Sequence, residues 1–157
     1  MRKYLLLAAL GLSVVACSKT DEEVGPTAIA VPFNEDFSLS YRQQAVLPSS
    51  NQPELTVSLT DMQLSFCHKG AICCFGPSYP VYPTFLVTDA QGQSQEVKFP
   101  ANQIGTYNTN WLDTTSVRAN GQRYLLYYLK YNLKAEKDQP AKKDVMVTLR
   151  VTKPIQN

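Results

Sequence analysis

From Phe33 onward, apolar residues recur at every second position. A period of two belongs to strands, whereas a helix repeats every 3.6 residues. Phe37, Leu39 and Tyr41 alternate with Asp36, Ser38 and Ser40, which places one apolar face on a strand. Leu55, Val57 and Leu59 repeat the pattern against Glu54, Thr56, Ser58 and Thr60, after which Met62, Leu64 and Phe66 become the apolar set. This change of parity at Thr60-Asp61 predicts a bulge or a strand that crosses between sheets. Thr84–Thr88 runs into Asp89-Ala90-Gln91-Gly92, a turn signal, with Gln95–Phe99 as the expected hairpin partner.

Arg123–Leu133 (RYLLYYLKYNL) is apolar on both faces at its start and one-sided later, and its four Tyr favour a strand over a helix. Val145, Val147, Leu149 and Val151 alternate with polar or longer side chains and give the clearest strand of the chain. Lys134–Lys143 reads as a charged hairpin loop broken by Pro140. Asn102–Gly121 has no firm period, and only Trp111-Leu112 looks like an anchor within a long connection. Seven or eight short strands separated by turn signals predict an all-β fold: an antiparallel β-sandwich of immunoglobulin-like type over residues 33–157.

The N-terminus follows different rules. Met1-Arg2-Lys3 precedes an apolar run of 13 residues, Tyr4 to Ala16, and then Cys17. A short basic start, an apolar stretch and a small residue before a cut describe a secretory signal peptide over residues 1–16. As a helix at ~1.5 Å per residue the run spans about 20 Å, short of a ~30 Å hydrocarbon core, which argues against a membrane-spanning anchor. Val14-Val15-Ala16-Cys17 resembles the lipobox of bacterial lipoproteins, in which the Cys is acylated and becomes the first residue. The resemblance implies a covalent lipid at Cys17 and attachment to a membrane through it. Each buried methylene contributes about 0.8 kcal/mol, so two or three acyl chains anchor a protein without a spanning helix. Residues 17–32 then form a tether with an acidic patch, Asp21-Glu22-Glu23. That patch is either plain solvated linker or, behind an acylated Cys, resembles the surface-export signal of Bacteroidetes lipoproteins.

Charge narrows the partners. The chain has 15 Lys and Arg against 13 Asp and Glu. Loss of residues 1–16 takes Arg2 and Lys3 with it and leaves a formally neutral chain, 13 basic against 13 acidic. No basic block marks a nucleic-acid surface.

Cys67-His68-Lys69-Gly70-Ala71-Ile72-Cys73-Cys74-Phe75-Gly76 is the densest group of chemically distinctive residues. An exported protein meets an oxidising compartment, where pairing is the default state of cysteine. With Cys17 acylated, three thiols remain and one intramolecular disulfide can form. Cys67–Cys73 would close a short loop around Gly70, stabilising by roughly 2–2.5 kcal/mol in the chain-entropy picture. A vicinal Cys73–Cys74 bond is the alternative, and with Cys67–Cys73 paired the spare thiol Cys74 stays buried or pairs with another chain. Zinc fits poorly, because adjacent Cys73 and Cys74 cannot both reach one tetrahedral ion with ease, and the paired knuckle spacing is absent. No metal and no cofactor is expected.

The segment resembles a stretch of the form D-S-R-C-P-x-G-x-x-C-x-W-x-G found in small Bacteroidetes-type outer-membrane lipoproteins of unknown function. Ser65, Cys67, Gly70 and Cys73 fall in register, and Phe75 stands at the Trp. Leu64, Phe66 and His68 replace the Asp, Arg and Pro, Cys74 is extra, and the last Gly comes one place early at Gly76. The resemblance implies a disulfide-stapled sandwich lipoprotein, with Cys67 and Cys73 as the pair, and it implies no activity.

Gly76-Pro77-Ser78-Tyr79-Pro80-Val81-Tyr82-Pro83 reads as a stiff, extended loop. Tyr79 and Tyr82 either offer their rings to a partner or cover the end of the sandwich. An enzyme is hard to assemble from these residues. His68 is the only imidazole, Ser65 lacks a nucleophile elbow, and Glu22-Glu23 lies in the tether. The expectation is a non-catalytic, lipid-anchored outer-membrane protein, a binding or accessory module for a protein or glycan. A structural subunit of an envelope complex and a peptidase inhibitor are the alternatives.

Overall fold

The computed structural model describes residues 27–67, 80–101, 110–134 and 139–153. These form nine strands: β1 (Ala28–Ala30), β2 (Asp36–Ser40), β3 (Gln44–Leu47), β4 (Leu55–Leu64), β5 (Val81–Asp89), β6 (Ser94–Lys98), β7 (Asp113–Ala119), β8 (Gln122–Leu133) and β9 (Val145–Thr152). Two sheets result, one in the order β1-β3-β4-β5-β6 and the other β2-β9-β8-β7. All pairings are antiparallel except β1 with β3, which is parallel.

The alternating faces meet in one core. Leu55, Val57 and Leu59 of β4 face Val145, Val147, Leu149 and Val151 of β9 from the opposite layer, all fully buried. Both sheets hide their apolar side chains by this packing, and at about 25 cal/mol per Å2 of apolar surface it is the main force holding the layers together. Thr60 is the extra residue of a bulge in β4, where the register with β5 shifts between Leu59 and Asp61. The change of parity there is a bulge within one strand, not a crossing between sheets. A second bulge in β8, between Tyr128 and Lys130, explains the two-faced reading of that segment. Tyr124, Leu126 and Tyr128 point inward before it, and Tyr131 and Leu133 pack on the core after it.

The expected all-β sandwich of antiparallel sheets is present, with nine strands among the described residues against the seven or eight expected. Two expectations are corrected. The sandwich begins before Phe33, because β1 lies in the segment assigned to the tether and joins the sheet beside β3. Asp113–Ala119 is not connection but the edge strand β7, paired along its whole length with β8.

The two ends of the sandwich differ. At one end the β5–β6 turn lies beside the β7–β8 turn, where the Asn120 side-chain amide donates to the Glu54 carbonyl at 2.8 Å. The opposite end holds Leu64, Val81 and Leu133, with the Tyr128 hydroxyl donating to the Val81 carbonyl at 3.2 Å. Strand β1 pairs Ala28 with Gln44 and Ala30 with Val46, so it runs toward the Leu47 end, where the hairpin tips gather. The chain therefore enters the sheet heading toward those tips.

Asp61, just past the β4 bulge, forms an ion pair with Lys142 of the 3-10 turn before β9 and so links the two sheets. The hydrogen bond from Lys142, with a second from the Met62 backbone, holds the Asp61 carboxyl below the ordinary carboxylate range, and the same contact raises the Lys142 ammonium. A depressed carboxyl stabilises the fold above its ordinary range, and that contribution disappears as pH falls through the folded-state value. Carboxyl carbon NMR should find Asp61 titrating low, and Lys142→Met should move it upward. An unchanged midpoint would show that the ion pair does not form in solution.

Candidate binding site

The hairpin tips are built by local rules. At the end of β5, one Asp89 carboxylate oxygen accepts the backbone N–H groups of Gln91 at 2.9 Å and Gln93 at 2.8 Å, closing the turn around Gly92 at φ 81°. Ala119 pairs with Gln122 across a two-residue turn whose residues are both left-handed, Asn120 at φ 51° and Gly121 at φ 69°. This is the Asn-Gly turn that matches the twist of an antiparallel pair. The Asn120 side chain then spans three segments, donating to Glu54 and accepting the Ala90 N–H at 3.3 Å.

Between the tips lies an open cleft of about 720 Å3, lined among others by Asp89, Gln91, Arg118, Gln122 and Arg123. A smaller space of about 230 Å3 shares Asp89, Gln93, Arg118 and Ala119 with it and runs between β6 and the edge strand β7. The lining is amide-rich and carries two guanidinium groups against one carboxylate.

The cleft opens onto the outer face of the four-stranded sheet. Arg118 of β7 stands directly opposite Arg123 of β8, and Thr114 opposite Tyr127. Arg123, Leu125 and Tyr127 share one side of β8 because side chains alternate along a strand. Leu125 is 37% exposed and is the only large apolar side chain so exposed among the described residues. Trp111 packs edge-on against Tyr127, ring centroids 5.1 Å apart at 63°. Its position is set by two contacts at the start of β7. The Leu112 N–H donates to the Tyr128 carbonyl at 2.7 Å, and the mostly buried Asp113 carboxylate accepts the N–H groups of Ala101 and Thr114, each at 2.7 Å. Beyond Tyr127, Arg150 of β9 pairs with Asp36 of β2 at 2.6 Å.

The sequence-predicted residues fall elsewhere. Cys17, Cys73, Cys74, His68 and Tyr79 lie outside the described residues. Cys67 follows β4 and is half-buried. Tyr82 is not in a loop: it sits on β5 opposite Gln63, half-buried and packed against the core. It is also at the wrong end for the cleft, since β4 and β5 begin their pairing there at Leu64 and Val81. The residues that sequence reasoning missed are Arg118, Arg123 and Tyr127. Asn120-Gly121 between two strand-forming stretches was the signal for their hairpin, and with it the Arg118–Arg123 register follows by counting back from the turn.

Compared with known proteins, the chain matches no family model, no curated protein and no solved structure.

Proposed function

We propose that this chain is a non-catalytic, lipid-anchored lipoprotein of the bacterial outer membrane whose sandwich is a binding or accessory module for a glycan or protein partner. The observation that carries this reading is the polarity of the domain. Strand β1 runs toward the end where the cleft opens, so Thr27, where the described chain begins, lies on the side of β1 away from that end. Thr27 already holds its place, its carbonyl accepting the Gln44 N–H at 3.2 Å. A lipid on Cys17 would thus sit behind the sandwich, and the cleft would point away from the membrane. Taken as coil, the residues between Cys17 and Thr27 would reach roughly 16–19 Å. The Cys67–Cys73 pairing belongs to the same reading. It would staple the loop at the end facing the membrane.

The anchor is tested by growth with a clickable fatty-acid analogue. The wild-type chain should take up the label, and Cys17→Ala should abolish it and leave an uncleaved precursor with residues 1–16 attached. Label retained by the Ala variant would overturn the lipoprotein reading. Whole-cell protease shaving then distinguishes the outer surface, where the domain is digested, from the periplasmic face, where an intact membrane protects it.

A further inference from the structure

We infer that the cleft and the adjoining outer face of β7–β8 form a site for an acidic glycan, with Arg118 and Arg123 holding a uronate carboxylate and the Trp111–Tyr127 pair seating a sugar ring. The inference rests on the binding-module reading above and names its ligand.

The first observation is the Arg–Arg pair. Residues directly opposite in an antiparallel ladder hold their Cβ atoms about 4.5–5.5 Å apart, and like charges in that relation destabilise the sheet. Four other cations of the fold meet carboxylates: Lys153 meets Glu54 at 2.5 Å, Arg150 meets Asp36, Lys142 meets Asp61, and Lys98 meets Glu96. Among the described residues no carboxylate pairs with Arg118 or Arg123. Asp89 shares their cleft, yet its Oδ1 is already taken by the N–H groups of Gln91 and Gln93. Two guanidinium forks side by side in a concave surface are suited to a planar carboxylate, which accepts hydrogen bonds bidentately.

The second observation is what surrounds that pair. Gln91 and Gln122 line the cleft with side-chain amides, each both donor and acceptor, as sugar hydroxyls are. Tyr127 lies four residues along β8 from Arg123 on the same side, about 14 Å away at ~3.4 Å per residue. The strip between them passes Leu125. The arrangement therefore offers charge recognition at one end and an aromatic surface for the C–H face of a ring at the other. A nucleic acid would need a row of cations to neutralise successive phosphates, and the cleft has two in a formally neutral mature chain.

The test uses the mature lipoprotein in mild detergent, titrated calorimetrically with oligogalacturonate, oligomannuronate and the methyl ester of the former. Binding of at least one acidic oligomer is expected. It should weaken about tenfold for the ester and for Arg118→Gln or Arg123→Gln, the scale of one lost charge-assisted contact. Trp111→Ala should weaken acid and ester alike. The two Gln variants should melt no lower than wild type, because each removes a repulsion. Equal affinity for acid and ester overturns the carboxylate assignment while leaving a glycan-binding module intact. Acid binding that ignores both Arg substitutions also overturns it. No binding of any oligomer removes the glycan altogether and leaves the protein-partner arm of the proposed function, which a cross-linking pull-down then examines.

Discussion

Phe85→Ala should lower the unfolding free energy by about 3–5 kcal/mol, the usual cost of emptying a buried aromatic position. Phe85 is fully buried in the middle of β5. Its ring meets Phe99 edge-on, centroids 6.0 Å apart at 79°, and Phe99 leans on Tyr128 at 5.6 Å and 49°. These three rings carry contact from the five-stranded sheet to β8 of the other layer, so the cavity would open where the layers join. Domains of this size hold only about 5–15 kcal/mol in total, and the variant should lose a large share of it. Urea denaturation should show a lower midpoint with the slope unchanged. Leu125→Ala is the control on the exposed face and should stay within about 0.5 kcal/mol of wild type. A loss below about 1 kcal/mol for Phe85→Ala would mean that the two sheets do not pack through this ring.

Asn120→Ala should cost about 2–3 kcal/mol, from two separable sources. Alanine at φ 51° takes on the steric penalty of the left-handed region, which asparagine tolerates better. The variant also loses the hydrogen bonds to the Glu54 carbonyl and from the Ala90 N–H. Asn120→Gly keeps the backbone conformation and loses only the side-chain bonds, so it should cost less, about 1–2 kcal/mol. Thermal unfolding of the pair separates the terms. Equal losses would place the whole effect in the hydrogen bonds, and no loss in either would show that Asn120 does not tie the tips together. Since the same side chain holds the β7–β8 tip against the rest of the cleft, both variants should also blunt binding of an acidic oligosaccharide.

The long strands were legible because burial on one face imposes strict alternation. β4 and β9 show it with side chains that no helix period could hide, and the Thr60-Asp61 change of parity marked a bulge or a crossing between sheets, of which the structure has the bulge. The Asp89–Gly92 turn likewise carried its own chemistry. β7 was not legible from hydrophobicity. Its residues, Asp113 to Ala119, hold one bulky apolar side chain, Val117, because an edge strand faces solvent on one side and a thin margin of core on the other. β1 is three residues long and pairs parallel, a contact that depends on where β3 lies and on nothing within β1 itself.

The candidate site shows the same division. Tyr79 and Tyr82 stood out because aromatic rings beside prolines are conspicuous in a string of letters, yet Tyr82 spends its ring on packing along β5. Arg118, Arg123 and Tyr127 are unremarkable in sequence, being separated by ordinary strand residues, and Trp111 stood out only as an anchor within a connection. The sequence by itself determined that the chain is all-β and that its alternation changes parity at Thr60-Asp61. Only the tertiary structure decided which strands share a sheet, and so which side chains stand opposite one another. Alternation specifies the face a residue takes, but ladder register sets its neighbour, and that register joined two arginines into one cleft beyond a turn held by Asn120.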